Sequence, residues 1–170
     1  MTGKGSLNHN SRKFHAKNTD PNRTHWNVEY CNEDIKDVYH ELFDEALKRY
    51  NDKQTRKDRK IDDYYEKIRS GKQEKLFHEV ILQIGDKDNM GSETMEGQLA
   101  AKILDEYMKG FQERNPTLRV FAAHLHLDEA TPHLHIDFIP YVAGSKRGLD
   151  TRVSLKQALS SLGFKGGSRS

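Results

Sequence analysis

Hydrophobic positions along this chain fall into two periods, and the switches between them mark the elements. From Asp34 the residues Ile35, Val38, Tyr39, Leu42, Phe43, Ala46, Leu47 and Tyr50 recur at three and four, the stripe of an amphipathic helix. Ile61, Tyr64, Tyr65 and Ile68 repeat that spacing up to Gly71 and predict a second helix. A third, capped by Ser92 or Thr94, carries Met95, Leu99, Ala100, Ile103, Leu104, Tyr107, Met108 and Phe111 on one stripe assigned to the core, and stops at Asn115-Pro116. A short helix over 154–162 precedes Gly163. Residues 76–84 are dense in apolar and β-branched side chains and read as a buried strand ending in a turn at Gly85-Asp86-Lys87-Asp88. Residues 119–127 and 133–142 alternate on either side of a turn at 128–132, where Pro132 restricts its neighbour to an extended form. The first two dozen residues show no period and resemble a polar tail, though one rich in histidine. The expected class is α+β: an antiparallel central sheet covered by helices on one face, with the histidines on the other.

A chain of 170 residues suits a single domain, here 1–170. Charged residues make up 32% and hydrophobic ones 34%, with a net charge of +2, so any basic character is local rather than global. One cysteine, Cys31, excludes an internal disulfide framework and reads as a small buried residue. No apolar run reaches membrane-spanning length and the N-terminus lacks a secretion segment, so a cytoplasmic location is expected. The loop-like ending Lys165-Gly166-Gly167-Ser168-Arg169-Ser170 suggests the N-terminal part of a longer protein.

Candidate chemistry is concentrated in His124-Leu125-His126-Leu127-Asp128-Glu129-Ala130-Thr131-Pro132-His133-Leu134-His135, which holds four of nine histidines. Residues two apart share a strand face, so His133 and His135 project together, and an antiparallel return brings His126 beside them. Three imidazoles leave coordination positions open, as in a catalytic rather than a structural ion site. His124 shares the parity of His126 and is the residue that competes for the same place. Asp128 reads equally as a turn residue or a functional one. Glu129 reads as an acid/base group or a partner of the ligands.

Two passages together resemble the Mob/Pre family of plasmid mobilisation and recombination proteins, relaxases of the HUH endonuclease superfamily. The first is His9-Asn10-Ser11-Arg12 with Asn22-Arg23-Thr24-His25-Trp26-Asn27-Val28-Glu29-Tyr30; the second is His126 through His135. The resemblance spans most of the chain from His9 to Pro140. It implies an HUH relaxase-like fold and a single-strand DNA endonuclease that nicks one strand at an origin of transfer, stays attached to the 5′ phosphate and can religate. It implies His9 as the nucleophile where most relaxases use tyrosine, His126, His133 and His135 as metal ligands, and Glu129 beside the metal. Arg12, His25 and Asn27 match the pattern and fall to phosphate contact or site organisation. Relatives usually carry an apolar strand before the first motif, whereas only eight polar-leaning residues precede His9 here. How the sheet edge forms and how His9 is anchored are thus left to the structure.

The residue types suit that chemistry. A divalent ion on imidazoles can bind scissile phosphate oxygens and withdraw charge. A neutral imidazole, with an ordinary pKa near 6.5, attacks without the deprotonation that tyrosine requires. Manganese satisfies both imidazole and phosphate ligands, with magnesium or another transition ion as alternatives. The expected partner is single-stranded or hairpin origin DNA, together with mobilisation machinery. Arg56, Arg59, Lys60, Arg69, Lys72 and Lys75 can supply phosphate-binding charge, with Tyr64 and Tyr65 stacking on bases; the same residues also fit a solvated helix face over core tyrosines. Two rival functions use the same cluster: a metal-dependent phosphoesterase without a covalent step, and a non-enzymatic DNA-binding module with a structural metal.

Overall fold

The structure, a computed structural model, describes Thr2–Gly3, residues 6–14 and residues 16–165. His15 and the Gly/Ser-rich end at 166–170 lie outside the described residues. Twelve elements follow in chain order: β1 (Thr2–Gly3), α1 (Leu7–Asn10), β2 (Val28–Asn32), α2 (Ile35–Asp52), α3 (Tyr64–Ser70), β3 (His78–Gln83), α4 (Met95–Lys109), α5 (Phe111–Arg114), β4 (Leu118–His126), β5 (His133–Val142), β6 (Arg152–Val153) and α6 (Leu155–Ser161). The sheet runs β1-β3-β5-β4-β2, with β6 pairing with β5, and helices flank it.

Two compact units can be distinguished by contact pattern. The first comprises Met1–Asn32, His78–Arg114 and Val120–Phe138; the second comprises Glu33–Phe77, Asn115–Arg119 and Ile139–Ser170. In the second, α2 begins at the Asp34 cap, whose carboxylate accepts from the Lys36 amide, and buries Val38, Tyr39, Phe43 and Ala46. Tyr64 of α3 packs on Phe43 with ring centroids 4.9 Å apart, and its hydroxyl accepts from the Val153 amide. Tyr64 is therefore core and unavailable for stacking on DNA bases.

In the first unit, β3 and β5 pair antiparallel with Glu79 opposite Asp137, Ile81 opposite His135 and Gln83 opposite His133. The two-residue pleat puts His133, His135 and Asp137 on one face and the fully buried Leu134 and Ile136 on the other. β4 is buried almost throughout, as befits a central strand. The edge left open by the short leader is closed by two residues: Thr2 opposes Val80 and Gly3 opposes Glu79. α1 then starts at Ser6, whose hydroxyl accepts from the His9 amide. Residues 6–14 and 16–27 are no loose tail: Asp20 N–H donates to the Asp128 carbonyl at 2.7 Å, and Arg23 donates to that of Leu127.

Two further expectations are revised. β2 had no recognisable signature, since its burial does not alternate, and Cys31 on it is half-buried rather than core. The stripe of α4 is only half covered. Ala100, Leu104, Met108 and Phe111 are buried, but Met95, Leu99, Ile103 and Tyr107 lie in solvent at 83%, 59%, 47% and 40% exposure. Period alone marks a wide apolar sector without saying which edge of it meets the core. Gly97, on the covered side, admits the loop before α4; a Cβ there would sit 1.9 Å from the Gly91 carbonyl oxygen.

The two lines of α4 should respond differently to truncation. Leu104→Ala should destabilise the fold by about 2–5 kcal/mol, whereas Leu99→Ala should stay within about 0.5 kcal/mol. Urea unfolding of the two variants checks this, and equal losses would contradict the burial pattern.

Candidate metal centre and nucleophile

β4 and β5 bring His126, His133 and His135 to one point, with one ligand-capable atom from each lying within 4.8 Å of the others. Each ring has one nitrogen tied back. His126 Nε2–H donates to the Asn10 carbonyl at 2.8 Å, His133 Nδ1–H to the Thr131 carbonyl at 2.9 Å, and His135 Nδ1–H to Glu79 Oε1 at 2.7 Å. These acceptors require protonated outer nitrogens, which leaves the lone pairs on His126 Nδ1, His133 Nε2 and His135 Nε2. Among the described residues, His126 Nδ1 and His135 Nε2 are buried without a hydrogen-bond partner. Buried lone pairs without donors are costly, and a cation is the partner that suits three of them at once. Burial also drives His126 down to about pKa 3, so that its ring stays neutral into acid. His124 turns aside: its Nε2 lies 3.1 Å from Glu29 Oε2.

Glu129 sits inside this group, 3.4 Å from His133 Nε2 and 3.8 Å from His126 Nδ1. Its other contacts are Arg12 Nη2 at 2.8 Å and Asn18 Nδ2 at 2.7 Å. Burial alone would raise its pKa, but the hydrogen bond and charge of Arg12 pull it down, and the carboxylate stays below its ordinary value. Arg12 also grips Asp128 through two nitrogens, at 2.9 and 2.5 Å. Asp128 is wholly buried and accepts a further bond from Thr24, at 3.2 Å. Asn27 Oδ1 receives the amides of Leu127 and Asp128, so Asn27 shapes the turn rather than facing a phosphate. Ser92 supports it from outside through the Glu129 carbonyl, at 3.3 Å.

His9 reaches the cluster from α1. Its ring lies 5.9 Å from that of His126 and 6.4 Å from that of His135, centroid to centroid, and its side chain keeps 23% exposure. Arg12 Nη1 stands 3.3 Å from His9 Nε2. A guanidinium can only donate, so Arg12 favours a lone pair on the facing nitrogen and a neutral ring, although Glu129 Oε1 also lies 3.4 Å from that nitrogen. Burial first and the Arg12 charge second lower the His9 pKa from 6.5. His9, His126 and Glu129 form a second group with ligand spacing. The guanidinium next to His9 Nε2 opposes a second cation there, which favours the three-histidine set.

Other expected site residues are elsewhere. His25 is exposed beside Trp26, with rings 5.9 Å apart, and takes no part in the cluster. Arg56, Arg59, Lys60, Arg69, Lys72 and Lys75 are all exposed in the second unit. Arg56 pairs with Asp58 and Arg69 with Glu66, which tempers their charge. Conversely, Asn18, Glu79 and Asp137 belong to the site although nothing singled them out in sequence, and Asn10, visible only as part of the His9-Asn10-Ser11-Arg12 motif, belongs to it as well. The usable signal was a carboxylate inside each of two apolar strands, since a buried carboxylate demands partners. Asp137 is pushed up to about 7 by burial and by Glu79 opposite, against the Asn10 hydrogen bond.

Comparisons with known proteins fit this geometry. No curated protein matches the chain. Among solved structures, the relaxase domain of MobM (MOBV; Mob_Pre), Mn-bound at pH 5.5 with 22 nucleotides of plasmid pMV158 oriT DNA, is similar at 26% identity. That match covers 94% of this chain and 79% of that one, with a TM-score of 0.51. The same domain with a 23-nucleotide oriT DNA, Mn-bound at pH 6.5, aligns at 24% identity over 96% of this chain and 82% of that one, with a TM-score of 0.46. The Mob_Pre model, described as plasmid recombination enzyme, matches residues 4–162 and so takes in His9, Arg12, Glu129 and the three clustered histidines. The chain belongs to the Mob/Pre family of plasmid recombination enzymes.

Proposed function

We propose that this chain is a relaxase, a metal-dependent strand transferase that nicks one DNA strand at a plasmid or mobile-element origin of transfer and holds the 5′ phosphate on His9. The observation that carries the reading is a neutral, partly accessible imidazole set beside three others whose free lone pairs converge. The Mn-bound, oriT-bound relative supports manganese as the ion and single-stranded or hairpin origin DNA as the partner. Both units fall within the family match, which supports one nicking domain over the chain. No described helix is long and apolar enough to cross a membrane. The family supports a cytoplasmic place of action, where plasmid DNA is handled.

In this reading His126, His133 and His135 hold the ion. When bound, it offsets charge on the scissile phosphate and orients it for in-line attack. A ring nitrogen of His9 attacks phosphorus, a P–N bond forms and the P–O3′ bond breaks. The ring gives up its N–H proton as the leaving 3′ oxygen takes one up. The reverse reaction by the free 3′ hydroxyl religates. Arg12 keeps the His9 ring neutral and Glu129 anionic beside the ligands. A non-covalent phosphoesterase would need Glu129 as general base, but its two carboxylate oxygens are engaged by Arg12 at 2.8 Å and Asn18 at 2.7 Å. Asn27 is assigned to the turn, and Arg59, Lys60, Lys72 and Lys75 to backbone phosphates, with Arg56 and Arg69 contributing less.

His9→Ala should abolish the protein–DNA adduct formed with manganese and labelled origin DNA, while leaving DNA affinity largely intact. The adduct should be acid-labile, as a phosphoramidate is and a phosphotyrosine is not; an acid-stable adduct, or one mapped to Tyr30, would sink the histidine mechanism. Chelation or His135→Ala should also abolish capture, and added Mn2+ should restore only the chelated parent.

The pH profile has a definite sign. A lowered His9 pKa keeps the attacking ring neutral below pH 6.5, so the acid limb of capture at saturating Mn2+ should have its midpoint under that value. A midpoint at 6.5 or above would contradict it. For DNA binding, replacing Arg59, Lys60 and Lys72 with Gln should weaken affinity and flatten its salt dependence by roughly 0.7 in log–log slope per lost phosphate contact. An unchanged slope would make those residues a solvated face.

A further inference from the structure

Asn10 follows His9 directly, ends α1 and is only 2% exposed. Its side-chain amide donates to Glu79 Oε1 at 2.8 Å and to Asp137 Oδ2 at 3.1 Å. Its main-chain carbonyl accepts from His126 Nε2. The same Glu79 oxygen accepts from His135 Nδ1. One residue thus touches the outer nitrogen of His126 directly and that of His135 through a shared oxygen, while its backbone carries His9.

No other residue type fits so well. Glu79 and Asp137 stand directly opposite each other in the β3–β5 register, and two facing carboxyl groups need donors between them. A planar amide offers two N–H donors. Alanine would leave the two acceptors facing each other, and aspartate would add a third carboxylate.

We propose that Asn10 is a positioning residue that sets the His9 ring against the metal-binding nitrogens of His126 and His135, so that the attacking group and the ion site share one support. The proposal rests on the reading of His9 as nucleophile given above. Outer partners of metal-bound histidine orient the ring, and losing one typically costs 10–100-fold in metal affinity or activity; the Asn10 side chain acts one step further out, fixing Glu79 and the main chain that carries the other partner, so its loss belongs at the lower end of that range.

The test uses Asn10→Ala and Asn10→Ser. Mn2+ affinity is read by electron paramagnetic resonance without DNA, the adduct-forming rate at Mn2+ saturating for each variant, and thermal melting without metal. In Asn10→Ala, Mn2+ should bind about tenfold more weakly, and capture should remain at least about tenfold slow when the ion saturates, because the His9 ring is displaced. Asn10→Ser, which retains one donor, should fall between. Parent-like Mn2+ affinity in both variants overturns the proposal. Full recovery of capture by saturating Mn2+ overturns the part that concerns His9. If Asn10→Ala melts below the assay temperature, Asn10→Ser decides alone by the same two readouts. A parent chain that forms no adduct overturns the nicking reading instead, and Mn2+ affinity then decides the role of Asn10.

Discussion

The buried pairing of Arg12 with Asp128 and Glu129 is the constraint on which the site depends. The described residues before β2 are mostly polar, and their large apolar side chains Phe14 and Trp26 are exposed, so they have little apolar surface with which to fasten to the sheet. They are fastened by charge. Arg12 occupies the left-handed region at φ 52°, a conformation that a non-glycine residue adopts only when its surroundings insist. Its guanidinium, 8% exposed, meets the fully buried Asp128 in a fork of two hydrogen bonds. Taking such charges out of water offsets much of their attraction, so the pair is better understood as selecting one geometry than as adding stability. That geometry sets His9 beside the triad and keeps the Glu129 carboxylate aimed into it.

Legibility in the sequence followed the physics of each part. Helices α2, α3, α4 and α6 and strands β3, β4 and β5 are held by apolar burial, which writes a period into the chain, and each was readable within a few residues. The histidine cluster was readable for a related reason: His133 and His135 share a face by parity, and a five-residue turn returns the chain to them. Asn10 lies 69 residues from Glu79 and 127 from Asp137 in sequence, so no local pattern could join them. The N-terminal segment resembles a polar tail in sequence because hydrogen bonds from it to a distant turn leave no period at all. β2 fails for a third reason, being an edge strand whose residues are exposed or half-buried on both faces.

Asp128 shows how a turn residue and a functional one can be the same. It takes the turn position that favours Asp, yet its carboxylate gathers Arg12 and Thr24 while its carbonyl accepts from the Asp20 amide. Hydrogen bonds and the Arg12 charge outweigh burial and lower its pKa, so it stays ionised in a place that would otherwise neutralise it.

Charge balance ties these features to the chemistry. Glu79, Asp128 and Glu129 are all held ionised, each because hydrogen bonds outweigh desolvation. Arg12 is the cation among them. Negative charge therefore exceeds positive charge around the three histidines, an environment that favours a divalent cation. A divalent ion held there would offset that excess, so an anionic phosphodiester could approach His9 without meeting uncompensated carboxylates. The same carboxylates would repel DNA from a metal-free site.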